Sequence, residues 1–212
     1  IAPRQPPARA PMPLPAPADR ELLHARDIAL RGYRRSDGLL DIEAHLVDTK
    51  TSSPHNGTGR RETPPGEPIH GMWLRLTIDE DMLVVACDAA MDHTPYAVCP
   101  SAAPNFARLA GLKVGPGFNR AVVERVGGAI GCTHLRELLG QMATVAYQTL
   151  YPLRARRERA EAARHAAPGA AAPRRLPAMV GSCIAYAPDS PVTLERWPWV
   201  GDLVAAKDQA AD

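Results

Sequence analysis

Four residues of this chain have the types that hold metals or act as nucleophiles, at places where a fold can use them: His70, Cys99, Cys132 and His134. Cys132 and His134 lie in Gly131-Cys-Thr-His-Leu135, where a glycine-containing turn gives way to an amphipathic run. The unpaired N–H groups and dipole of a helix start stabilise a thiolate, the form of cysteine that ligates metals and attacks carbonyl carbon. Residues two apart inside a helix point in different directions. A residue at the cap is free of that geometry, so Cys132 and His134 can converge. Cys99 repeats the arrangement, because it directly precedes Pro100, a residue suited to a first helical position. His70 ends a polar loop and enters a strand, at a sheet edge where helix starts can gather. Two thiolates and two imidazoles make a tetrahedral shell for zinc, or a ligand set for iron or an iron–sulfur cluster. The expectation is therefore a metal-binding module with a Cys2His2 site, accessory to a cytoplasmic enzyme or to cluster assembly, with the loop over residues 49–69 controlling access.

The same residues support other chemistry. Cys132 is the candidate nucleophile of a cysteine-dependent hydrolase or acyltransferase, with His134 or His70 as base and Arg60, Arg61 or Arg75 binding an acidic substrate. No third residue that would orient the histidine is identifiable from sequence. A third reading is a structural subunit of a larger complex, with tails that order on binding. Packing is the plain alternative for the thiols, and Cys87, in an apolar run, is expected to be a core residue. His45 shares a polar strand face with Asp41 and Glu43 and reads as a solvated surface residue, while His24, His55, His93 and His165 suggest nothing specific.

The elements that must position these groups follow from periodicity. Residues 27–34 and 39–47 alternate apolar with polar around Arg35-Ser-Asp-Gly38, which predicts a hairpin with an Asp-Gly turn. Leu40, Ile42, Ala44 and Leu46 share one face of its second strand. Residues 49–68 read as a long loop. Met72, Leu74, Leu76 and Ile78 alternate with Trp73, Arg75, Thr77 and Asp79, and Glu80-Asp81 turns into the apolar run 82–91, completing a four-stranded antiparallel meander. Helices are predicted over 100–112, over 117–126 and from Thr133, where Leu135, Leu138, Leu139, Met142, Val145, Ala146 and Leu150 recur at three-and-four spacing. Beyond Pro152 an Arg/Ala/Glu-rich helix is expected to about His165, then a low-complexity linker, and a last short strand over 182–187.

The fold class is thus α+β, a four-stranded antiparallel sheet packed on one face by helices, with disordered Pro/Ala-rich tails. Its domains are a tail over 1–21, the Cys/His domain over 22–152, a basic helix extension and linker over 153–178, and a C-terminal segment over 179–212. Twenty-five Lys+Arg against 23 Asp+Glu leave a formal charge of +2, too small for a molecule-wide field directed at nucleic acid or membrane. Arg154, Arg156, Arg157, Arg159, Arg174 and Arg175 concentrate positive charge late in the chain, where a protein partner is the expected contact. No stretch approaches the ~20 apolar residues of a membrane span and no signal peptide is visible, so a cytoplasmic protein with reduced thiols is expected.

Several segments carry a family resemblance. Asp37-Gly38, Glu43, Asp48-Thr-Lys50, Ile69-His-Gly-Met-Trp-Leu-Arg-Leu-Thr-Ile-Asp79, Cys99, Ala110-Gly-Leu112, Gly127-Gly128 and Gly131-Cys-Thr-His-Leu-Arg-Glu-Leu138 resemble the bacterial domain of unknown function 2889 family, across about residues 27–187. That resemblance implies no activity. A topological one, to NifU/IscU-type iron–sulfur scaffolds, implies a ligand leading into a strand (His70), one before a helix (Cys99) and a pair starting the last long helix (Cys132 and His134). Here the first ligand is His rather than Cys, Met72 rather than Asp follows Gly71, and the pair is Cys-Thr-His rather than His-Cys.

Overall fold

The structure, a computed structural model, describes residues 14–52, 61–165, 176–177 and 179–203. Most of the expected N-terminal tail, Arg60 in the long loop, and most of the expected linker, with Arg174 and Arg175, lie outside the described residues. The chain divides into two compact units, Ile1–Glu161 and Ala162–Asp212.

Strands β1 (His24–Arg34), β2 (Leu40–Lys50), β3 (Pro68–Ile78) and β4 (Val84–His93) form the expected antiparallel meander, in the order β1-β2-β3-β4. The β1–β2 turn places Gly38 at φ 90, a conformation that glycine adopts without steric cost, and Asp37 binds both the Arg35 side chain and the Leu39 amide. The β3–β4 turn instead puts Met82 at φ 67. Asp79 offsets that strain by accepting from the amides of Asp81 and Leu83, both at 2.8 Å.

Because a pleat alternates its side chains, the antiparallel register stacks one face into rows: Gly32, Ile42 and Leu76; Leu30, Ala44 and Leu74; Ile28, Leu46 and Met72; Arg26, Asp48 and His70. The first three rows hold the sheet side of the core, in which Ile42, Leu46 and Leu76 are fully buried. Helices supply the other side. A run of 3₁₀ turns, Cys99–Leu109, contributes Phe106 and Leu109; α1 (Phe118–Val126) contributes Phe118, Val122 and Val126; α2 (Thr133–His165) contributes Leu135, Leu138, Leu139, Met142, Ala146 and Leu150. Each buried leucine is worth about 1.5–3 kcal/mol relative to exposure, so this layer fixes where α2 lies. The segment from Cys99 is 3₁₀ where an ordinary helix was expected, and Pro100 and Pro104 within it lack the N–H groups a regular helix needs.

Two features set α2 against the sheet. At Gly32 a β-carbon would lie 1.9 Å from Thr149 Oγ1, so only glycine allows this approach of helix to β1. Past Pro152 the helix continues to His165, as expected, with Arg154 donating to the Glu80 carbonyl and Arg157 reaching its carboxylate at 2.8 Å. These arginines therefore brace the helix on the β3–β4 turn.

In the second unit, the strand expected over 182–187 is not formed. Gly181 and Ser182 lie in turns and Ile184–Tyr186 is a single 3₁₀ turn, closed by bonds from the Gly181 amide to the Tyr186 carbonyl and from the Tyr186 amide to the Cys183 carbonyl. Six alternating residues between Gly181 and Pro188 are too short a signal to outweigh those local turns. Ser190 then caps α3 (Pro191–Arg196) by accepting from the Thr193 amide.

Candidate functional site

At one end of the inward face the apolar rows give way to charge. Asp48 is the next inward position after Leu46, and it is 1% exposed. Its register neighbours are Arg26 on β1 and His70 on β3, so the fold places a cation and an imidazole beside it without any help from loops. Arg26 grips the carboxylate with both arms, Nε to Oδ1 at 2.7 Å and Nη2 to Oδ2 at 2.8 Å. His70 donates from Nδ1 to Oδ2 at 2.9 Å, and His24, the first residue of β1, reaches Oδ1 from Nε2 at 3.2 Å. Arg26 also meets Glu137 of α2 at 3.1 Å, tying the strand to the first turns of the helix.

The start of α2 completes the cluster. His134 turns Nε2 toward Asp48 Oδ2 at 3.9 Å and lies against the His70 ring, with centroids 3.9 Å apart and planes tilted by 36°. Its other nitrogen, Nδ1, is 3.9 Å from Cys132 Sγ, and that sulfur is 3.9 Å from Sδ of the buried Met72. The carbonyl of Cys132 accepts from the Arg136 amide, so this residue stands at the cap, where convergence with His134 was expected.

Electrostatics follow from burial and pairing. Burial alone would push the Asp48 carboxyl up, but Arg26, with His70 and His24, more than reverses this and brings it to about 2. His70 is pushed below its ordinary value by burial and then by the neighbouring His134, against the pull of Asp48. His134 is pushed down by burial and by Arg26, again against Asp48. At neutral pH the centre is thus a carboxylate flanked by two uncharged imidazoles.

The structure brings together three of the four expected site residues, and with them groups that the sequence reading passed over. His70, Cys132 and His134 meet at the end of α2; Cys99 begins the 3₁₀ run and is outside the cluster. Among the described residues, the His, Cys, Asp and Glu side chains whose ligand atoms lie within 4.8 Å of one another are Asp48, His70 and His134. The Cys2His2 shell is therefore corrected to an Asp/His/His group. Phe106 and Leu109 anchor the 3₁₀ run in the core, and the run is tied to the segment before α2 through Asn105, which donates to the Ile130 carbonyl, rather than through Cys99. Asp48 was within reach of the sequence, since the alternation Leu40, Ile42, Ala44, Leu46 carries on to it; His24 and Arg26 carried no signal of their own. His45, expected to be solvated, lies on the sheet face away from the site, where it is stacked at 3.7 Å on Trp73, its cross-strand partner.

The family model described as a protein of unknown function, DUF2889, matches residues 24–148. The chain belongs to the DUF2889 family. The DUF2889 match opens at His24 and closes within α2, so it contains every member of the cluster. No curated protein and no solved structure matches the chain, and the expected likeness to NifU/IscU scaffolds is not shown. Chemically, this DUF2889 site offers two uncharged imidazoles and a carboxylate as metal donors, and a thiol beside an imidazole as a nucleophile with its base.

Proposed function

We propose that this DUF2889 domain binds a divalent metal ion, zinc or iron, through His70, His134 and Asp48. The observation that carries the reading is the mutual approach of their three ligand atoms, within 4.8 Å, around a carboxylate that is almost wholly buried. Two imidazoles and a carboxylate are a donor set suited to zinc or to ferrous iron, with the His70 ring giving up its hydrogen bond to Asp48 when an ion enters. Arg26 then serves as the outer partner that holds the Asp48 carboxylate in place, a role that ligating carboxylates commonly require. An ion there supplies Lewis-acid or water-activating chemistry. The four cysteines are free, which suits a reducing, cytoplasmic setting, and among the described residues no helix is long and apolar enough to cross a membrane. The basic stretch beyond Pro152 is proposed as a protein contact, through the exposed Arg156 in particular.

The test is metal content. Anaerobically purified protein is expected to carry, or to take up, close to one zinc or iron per chain; His70→Gln and His134→Gln should each abolish this, and Cys99→Ser should not. A chain that takes up neither ion, or whose uptake is indifferent to both histidine variants, would refute the reading.

A second reading rests on a different observation: His134 lies between Cys132 and Asp48, with one ring nitrogen 3.9 Å from each. That is the order of nucleophile, base and orienting carboxylate, and it supplies the third residue that the sequence did not show. In this reading the Cys132 thiol passes its proton to His134 Nδ1 and attacks a thioester or amide carbonyl; the substrate's thiol or amine leaves with that proton, and water, giving a proton to His134, then hydrolyses the acyl-enzyme to the free acid and returns the thiol. It predicts a metal-free protein whose Cys132 is alkylated rapidly near neutral pH, with the rate lost in His134→Gln. Slow alkylation unaffected by that variant would dismiss it.

A further inference from the structure

His134 presents its two ring edges to two chemically different neighbours. Nε2 faces the carboxylate of Asp48, and Nδ1 faces sulfur, with Cys132 Sγ at 3.9 Å and, 3.9 Å beyond that, the Met72 thioether. We propose that Cys132, Met72 and His134 Nδ1 form a second site, selective for a soft monovalent cation, copper(I). Thiolate and thioether are the donors that select copper(I), whereas the Asp48 edge favours harder divalent ions.

The separations suit such an ion. Two sulfurs each about 2.3 Å from a metal, the length of a zinc–thiolate bond, lie about 4.0 Å apart when the bonds meet at 120°. The Cys132–Met72 distance of 3.9 Å is already at that value, so an ion can bridge the two sulfurs without drawing strand and helix apart, and His134 Nδ1, 3.9 Å from the Cys132 sulfur, is the nitrogen donor beside them. The pocket is also set by the fold. Met72 is 1% exposed on the inward face of β3, and Cys132 stands at the cap of α2, so strand and helix each hold one sulfur. Partial exposure of Cys132 and His134 leaves a way in from solvent. On binding, the thiol releases its proton to solvent and the uncharged His134 gives its lone pair; no electron is transferred. The site shares only His134 with the divalent reading, so either can fail without the other.

The experiment uses the full chain, reduced and anaerobic, in a Cys99→Ser/Cys183→Ser background that removes two other partly or fully exposed thiols. Copper(I) is presented as its bicinchoninate complex. One ion per chain should be withdrawn from the chelator, and X-ray absorption at the copper edge should show two sulfur neighbours and one nitrogen. With selenomethionine in place of methionine, which leaves the packing intact, a selenium neighbour should replace one sulfur. Met72→Leu, close in volume, should weaken uptake at least about tenfold, since losing a donor costs no less than losing an outer-shell partner. Asp48→Asn should leave copper(I) uptake in place while removing zinc. A copper centre with one sulfur and no selenium neighbour, no withdrawal of copper from the chelator, or uptake unchanged in Met72→Leu would overturn the proposal.

Discussion

The inward face of the sheet has two ends built by one rule and filled by opposite chemistry. Three rows across β1, β2 and β3, from Gly32–Ile42–Leu76 to Ile28–Leu46–Met72, meet the leucines of α2 and make the core; the next row, Arg26–Asp48–His70, meets His134 and Glu137. The pleat places Asp48 as deep as Leu46, although a buried carboxylate is costly unless paired. The pairing is complete: Arg26, His24 and His70 all bind it. The lesson is that the site is a continuation of the core, positioned by strand register and by the burial that fixes α2, so its precision is that of the sheet.

This contrast can be broken at either end. The largest expected effect is at the apolar end: Leu76→Ala, at a fully buried position, should cost about 4 kcal/mol, as core truncations do, and leave the metal-to-protein ratio of the folded fraction unchanged. Asp48→Ala should cost about 3 kcal/mol, because it strips Arg26 and His70 of their shared partner, and unlike the leucine variant it should also remove zinc or iron uptake. Denaturant titrations paired with metal analysis separate the two. Gly32→Ala tests the link between the ends: the new methyl group meets Thr149, so a loss of about 2 kcal/mol is expected, restored in part by Thr149→Ala.

Acid sharpens the comparison, since only the polar end titrates. His70 and His134 have folded values below their ordinary 6.5, so as pH falls through 6.5 the unfolded chain binds more protons and stability drops, levelling off below the folded values. Asp48, at about 2 when folded against an ordinary 3.8, adds a second loss between those two values. Thermal melts of metal-free protein should therefore move downward between pH 7 and 5 and again below 4; a melt that rises on acidification to pH 5 would contradict this. The smallest effect is expected on the opposite face, where His45→Ala removes only the stack on Trp73 and should cost about 0.5 kcal/mol, with metal uptake unaltered.

How much of this was legible in the sequence depends on what fixes each part. The meander was, because the alternation over 27–34, 39–47 and 72–79, the apolar run 82–91 and the Asp37-Gly38 turn are local signals, and the stripe from Leu135 to Leu150 announced α2 in the same way. His70, Cys132 and His134 were legible as chemistry. Cys99 was misjudged because a helix start tells where a thiol sits on its own element, and the place of that element is set by distant packing through Phe106 and Leu109. Asp48 was overlooked for the opposite reason: the stripe was followed only as far as it stayed apolar, yet a pleat alternates whatever the polarity of its residues. Register supplied the rest, since Arg26 and His70 become neighbours of Asp48 only once three strands are paired.

The most direct test of the divalent centre is a zinc titration of the metal-free chain followed through the ring-nitrogen resonances of its histidines. A ring nitrogen of His70 and one of His134 are expected to shift together and saturate at one equivalent, while His45 and His93 stay in place. Saturation at some other histidine pair, or no movement of His70 and His134, would contradict the assignment.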